Sequence, residues 1–220
     1  MAARAMRLDP VPTLRDEAVG DLRFRNLLSA SDWAALPPKV RRRFSRRLAD
    51  GASVVYAGEV VETRMSAAGR FFAQLCRLVG GPLPLTMDAG VPAVVTVTED
   101  MAGGGQNWTR LYARRRGFPQ IIHSAKRFGG PTGLEEYVGR RVGMALTVHV
   151  AEDALIFRSA GCFVRFGRAR IPIPRWLTPG DIVVTHAEWG EGGFMFVLEV
   201  RHPLWGPIIQ QIATFRDTLS

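Results

Sequence analysis

The stretch DIVVTHAEWGEGGFMFVLEVR, residues 181–201, holds two apolar-rich runs separated by Gly190, Gly192 and Gly193. A glycine-rich break between two such runs is a hairpin signal. Side chains alternate across a strand, so Phe194, Phe196, Leu198 and Val200 form one row that His202 continues. Met195, Val197, Glu199 and Arg201 form the other. His186 and Glu188 share a face of the first run. The same alternation runs through 142–151, where Met144, Leu146, Val148 and Val150 oppose Ala145, Thr147, His149 and Ala151. In 107–113, Trp108, Arg110 and Tyr112 share a side.

Working outward, everything after about Val91 reads as strands joined by tight turns: 91–98, 107–113, 118–128, 142–151, 155–159, 162–173, 181–189, 194–201 and 207–215. Residues 53–63, rich in β-branched and aromatic side chains, read as one more. The eight or nine strands after Val91, at regular spacing, predict a large antiparallel sheet or barrel. Several strands are apolar on one face and mixed on the other, with Trp189, Met195 and Val197 on the mixed side. Both faces of such a sheet need cover, which a sheet curving around an interior provides.

The N-terminal quarter is different. Residues 1–15 carry Pro10 and Pro12 with little apolar periodicity and read as a loose arm; 16–220 read as a single domain. Phe24, Leu27 and Leu28 share a helical face, Ser31 and Asp32 are positioned to cap a turn at Trp33, and Pro38 suits the first position of a helix. That helix, 39–47, carries Arg41, Arg42, Arg43, Arg46 and Arg47, with Val40, Phe44 and Leu48 as its apolar stripe, so it is expected to dock by the stripe and show arginine to solvent. A second amphipathic helix follows residues 53–63, with Met65, Ala68, Phe72, Leu75, Cys76 and Val79 at spacings of three and four, stopped by Gly80 and Gly81.

Composition narrows the function. The 220 residues are 47% hydrophobic and 22% charged, the profile of a folded globular chain. No apolar run approaches the roughly 20 residues of a spanning helix. The net charge is +9, carried almost wholly by arginine: Lys39 and Lys126 are the only lysines. A basic chain favours anionic partners and also keeps copies of itself apart. Cys76 and Cys162 have no metal or redox spacing and read as small buried hydrophobes in a reducing, cytoplasmic setting. Gly103, Gly104 and Gly105 lead into a strand and lack the lysine and helix start of a phosphate-binding loop. No cofactor or metal is expected. Among the histidines, His186 with Glu188 has the spacing of an acid–base pair. No nucleic-acid reading module is recognisable, so nucleic acid is not an expected partner.

The order of the short motifs 24–28, Trp33, 36–44, Asn107–Arg110, Gly143 with Met144, 171–174 and 202–206 resembles the bacterial domain-of-unknown-function family 4166, over about residues 22–216. The 210–215 segment departs from the aromatic-plus-glycine ending of that family. The resemblance implies an accessory or binding domain, in some members fused to NAD(P)-binding, saccharopine-dehydrogenase-like oxidoreductases, and carries over no catalytic residue.

The sequence therefore predicts an α+β fold, with N-terminal helices packed on a large curved antiparallel sheet or calycin-like β-barrel. Its first functional reading is a non-enzymatic domain binding a small amphipathic or lipid-like ligand in the barrel, lined by Trp108, Arg110, Tyr112, His123, Glu188 and His202, with an oxidoreductase as partner. Two alternatives stand beside it: an enzyme working through His186 and Glu188, and a module docking on an anionic membrane or a partner through the arginines of 39–47.

Overall fold

The structure, a computed structural model, describes residues 21–48, 51–139, 141–190 and 192–217; the predicted arm at 1–15 lies outside them. Eleven strands follow two short helices: α1 (Ala30–Ala35), α2 (Pro38–Ser45), β1 (Ser53–Met65), α3 (Ala67–Cys76), β2 (Val91–Asp100), β3 (Gly105–Tyr112), β4 (Gln120–Phe128), β5 (Leu134–Tyr137), β6 (Val142–Ala151), β7 (Ala154–Phe166), β8 (Ala169–Ile173), β9 (Asp181–Trp189), β10 (Gly193–His202) and β11 (Gly206–Asp217). Among the described residues, single 3₁₀ turns lie at Arg25–Leu27, before α1, and at Arg77–Val79 and Arg175–Leu177.

The strands run β6-β5-β4-β3-β2-β1-β11-β10-β9-β7-β8, and β7 also pairs with β6. The sheet thus closes into an antiparallel barrel of ten strands, with β8 as an extra strand on β7. Closure depends on β7, which serves two neighbours on one edge. Its first half, Leu155 to Arg158, pairs with β9, and its second half, Cys162 to Phe166, pairs with β8. The register against β6 shifts between Ala145 and Leu146, opposite Gly161, whose φ is +138°. Such a bulge bends a strand and increases its twist.

These details correct the sequence reading. Residues 155–159 and 162–173 were expected as two strands. The chain instead runs through Gly161 in one strand and turns only at Gly167. β5 has no alternation to read, because all four of its residues are buried. The barrel is accordingly a little larger than expected. The final strand forms despite its departure from the family's ending, and pairs with both β1 and β10.

Helices plug both ends. At one end Phe24, Trp33, Leu36, Val40 and Phe44 pack onto Leu155 and Phe157. Phe24 meets the Phe44 and Phe128 rings edge-on at 5.2 and 4.9 Å. The cap of α1 is Ser29, whose hydroxyl accepts from the Asp32 N–H at 3.0 Å, so Ser31 and Asp32 are not its cap. Helix α2 starts at Pro38 as expected but ends at Ser45, which leaves Arg46 and Arg47 beyond it. At the other end Ser66 caps α3 by accepting from Gly69 N–H. A Cβ on Gly69 would stand 2.1 Å from the Ile208 carbonyl oxygen, so only glycine lets α3 lie directly on β11. Phe72, Ala73 and Cys76 then face inward. Among the described residues no helix is long and apolar enough to cross a membrane.

Phe194 is fully buried, 4.9 Å from the Tyr56 ring and 5.7 Å from the Phe215 ring. Phe194→Ala is expected to cost about 3–5 kcal/mol in denaturant unfolding. Phe118→Ala, at a side chain 90% exposed, should stay within about 0.5 kcal/mol. Equal, small effects at the two sites would contradict this packing.

Candidate ligand cavity

Between the two plugs lies a cavity of about 370 Å³, within the roughly 300–1,000 Å³ of small-molecule sites. Phe44 borders it at the α2 end, and Phe72, Leu75 and Cys76 border it at the α3 end, where the exposed Leu78 and Leu177 also line it and mark its mouth. Val95, Ile122, Met144, Leu146, Val184, Leu198 and Ala213 line its wall. Strand alternation explains the composition: each strand sends every second residue inward, and along the cavity those residues are apolar on β2, β6, β9 and β10.

The exception is one side of the wall, where Arg110 of β3, Lys126 of β4 and Glu136 of β5 come together on adjacent strands. Lys126 and Glu136 are direct register partners. Glu136 accepts from Arg110 Nη2 at 3.1 Å, and its other oxygen lies 3.0 Å from Lys126 Nζ. The Lys126 ammonium also sits 5.0 Å from the Trp108 ring and 5.5 Å from that of Phe157. Burial alone would raise the Glu136 pKa, but the two cations overcome it and hold the carboxyl at about 2. For Lys126 burial wins and its pKa is lowered, with Glu136 opposing the loss. The direction on Glu136 decides the state of the pair, because two cations and only one anion surround the same point. Glu136 is ionised, and the cluster keeps an excess of positive charge. Arg110 spends one N–H on Glu136, and its others make no hydrogen bond among the described residues. Tyr112 stands one inward position further along β3, where burial raises its pKa and keeps the hydroxyl protonated.

The six residues expected to line a ligand divide evenly. Trp108, Arg110 and Tyr112 all line the cavity. His123 does not: with Ile122, Ser124 and Lys126 inward, it projects from the outer face, exposed, its Nδ1 3.1 Å from Thr109 Oγ1. Glu188 is on the inward row but beyond the plug at the α2 end, its Oε1 buried with no hydrogen-bond partner. His202 is buried behind Phe72 and not in the lining. Its ring stacks against Phe72 at 5.0 Å and Trp205 at 4.3 Å, and those two rings also meet, at 5.6 Å. Nδ1 accepts from the Leu204 N–H, so Nε2 carries the proton and faces the Trp176 carbonyl at 3.3 Å. His202 therefore ties the connections at the α3 end together.

Lys126 and Glu136 were missed. Glu135 and Glu136 are both buried. Glu136 points into the cavity. Glu135 points outward and is bound by Arg170 through Nε at 2.6 Å and Nη2 at 3.1 Å, with the Tyr137 hydroxyl donating at 2.7 Å. A signal existed for Lys126: it is one of two lysines in a chain that otherwise uses arginine. Both cysteines line the cavity as free thiols, and burial raises the pKa of each.

His186 and Glu188 do share a face, but they do not form an acid–base pair. His186 Nε2 meets Arg43 Nη1 at 3.3 Å, and Nδ1 is buried with no partner. The imidazole packs against Phe44, Phe194 and Phe196 at 4.8–5.1 Å. Burial, and secondly Arg43, push its pKa down to about 3. The contact also corrects the arginine-rich helix. Arg43 turns inward, 4.3 Å from the Phe194 ring, and only Arg42 and Arg47 of the five arginines are exposed.

The family model described as "Domain of unknown function (DUF4166)" matches residues 36–215. No curated protein and no solved structure matches the chain.

Because His186 is held neutral in the fold, protons bind the unfolded chain more readily between pH 6.5 and about 3. Its burial therefore opposes folding increasingly as the pH falls through that window. Unfolding followed by urea at several pH values should show His186→Phe flattening the loss of stability below pH 6.5. An unchanged slope would mean that His186 is not buried in its neutral form.

Proposed function

The chain belongs to the DUF4166 family, and we propose that it is a non-enzymatic binding domain for a small amphipathic molecule with one anionic group. The supporting observation is the pairing of a largely apolar cavity with a single off-centre cluster of net positive charge. In such a site the apolar body of a ligand replaces no protein hydrogen bonds along most of the wall. A carboxylate or phosphate at its head meets Arg110, whose remaining N–H groups make no hydrogen bond among the described residues. Lys126 is committed to Glu136 and the Trp108 face, so it holds Arg110's carboxylate partner in place and is not itself the primary contact. Tyr112 adds one hydroxyl donor on the same side. The reading involves no bond-breaking step: Glu136 is held ionised between its two cations, and the histidine that could move a proton is packed as a neutral core residue. Handing such a ligand to a separate oxidoreductase is the partner role that accompanies this reading.

Titration with a fluorescent long-chain carboxylate and with its neutral alcohol analogue tests it. The carboxylate should bind the wild-type protein more tightly. Arg110→Met should weaken carboxylate binding by roughly ten- to a hundredfold, the scale of a lost charged hydrogen bond, and leave the alcohol nearly unaffected. Leu146→Trp, which fills the cavity, should remove binding of both while circular dichroism stays unchanged. Absence of binding by the wild-type protein, or binding indifferent to Leu146→Trp, would overturn the proposal.

A further inference from the structure

Exposed apolar side chains are divided unequally between the two ends of the barrel. At the α2 end, the large ones among the described residues are Leu22, Met101 and Trp189. At the α3 end, four of the connections between strands carry them. Phe71 and Leu78 lie in and after α3, Phe118 follows β3, Trp176 precedes β9, and Leu204 and Trp205 join β10 to β11. Leu78 is 83% exposed and also lines the cavity, so this apolar surface is continuous with the cavity mouth. The surface is held in place from beneath: Trp205 stacks on His202, and His202 reaches the Trp176 carbonyl.

The connections of this end are also rich in cations and poor in acids. Arg70, Arg77, Arg115, Arg116, Arg141 and Arg175 are exposed on the connections of this end. The one carboxylate on those described connections, Asp88, accepts from the Arg115 N–H. Arg175 is the exception among the cations, paired with Asp181. Solvent-facing tryptophan, phenylalanine and leucine ringed by guanidinium groups match a bilayer interface, where aromatic rings settle at headgroup depth and cations meet lipid phosphates.

We propose that the α3 end of the barrel docks on an anionic phospholipid bilayer, with Phe71, Leu78, Phe118, Trp176 and Trp205 entering the headgroup–acyl boundary and the surrounding arginines on the phosphates. The cavity mouth then faces the layer from which an amphipathic ligand would enter. Docking goes beyond the binding reading and does not depend on it, since a barrel with an empty cavity would present the same surface. It also reverses the sequence expectation that the α2 arginines make this contact.

Co-sedimentation with vesicles of phosphatidylcholine, or of phosphatidylcholine mixed with phosphatidylglycerol, tests the proposal. The full chain should pellet with the mixed vesicles, pellet poorly with phosphatidylcholine alone, and be released by salt. Leu78→Glu combined with Trp176→Glu should lower binding by about tenfold or more. Arg42→Glu combined with Arg47→Glu, at the opposite end, should leave it unchanged. Circular dichroism, and binding of the carboxylate probe in free solution, keep failure of docking separate from failure of folding or of the cavity. The proposal is overturned if mixed vesicles do not pellet the chain, or if the α2-end pair abolishes binding and the α3-end pair does not. It is equally overturned if the chain is a dimer in sedimentation velocity that Leu78→Glu with Trp176→Glu splits, since the surface then belongs to a second copy.

Discussion

Closure of the sheet through β7 is the constraint on which the rest of the structure depends. An eight-strand barrel is about as wide as its own side chains can fill, or holds one small ligand. With ten strands closed the lumen is wider, and ordinary inward-facing residues do not reach across it. Helices reduce the problem at each end. Phe44 enters from α2 and Phe72 from α3, each followed by aromatic contacts that fix its position. What lies between them is the cavity. The bulge opposite Gly161 is part of the same solution, because it lets one strand belong to the barrel along its first half and carry β8 along its second.

The polar content of the lumen follows from the energetics of burial. A lone ammonium or carboxylate in such a place would be costly, and pairing offsets that cost only when geometry is good and the remaining hydrogen-bonding capacity is met. Glu136 meets the condition because β3 and β4 bring a cation each to the same point. Two cations on one carboxylate leave a residual charge, and this gives the otherwise apolar space a preferred end. The outer face repeats the chemistry for a different purpose. There Glu135, Arg170 and Tyr137 join β5 to β8, so adjacent glutamates of one four-residue strand serve opposite faces of the wall.

Alternation within a strand was legible, and it placed Trp108, Arg110 and Tyr112 on a shared row without any structure. Registration between strands was not. His123 looked equivalent to Arg110 as a polar residue in an apolar strand, but Trp108 pairs with Ser124, and that register puts His123 outside. β5 was invisible because a short strand buried on both faces has no period. The inward turn of Arg43 was hidden for a related reason: on a helix packed at a barrel end, a guanidinium can follow the apolar stripe inward when an aromatic ring such as Phe194 receives it. The ends of the barrel, where helices meet turns from distant parts of the chain, hold most of what the sequence concealed. They hold the stack on His202 and the neutral imidazole of His186.

The central claim is that the lumen is hollow and dry along its apolar wall. A crystal of the protein pressurised with xenon tests this most directly, since an apolar cavity of this kind admits the gas where a filled core does not. Xenon density is expected between Ile122, Leu146 and Phe196, away from Arg110 and Glu136. A lumen occupied by side chains, with no xenon inside it, would contradict the account.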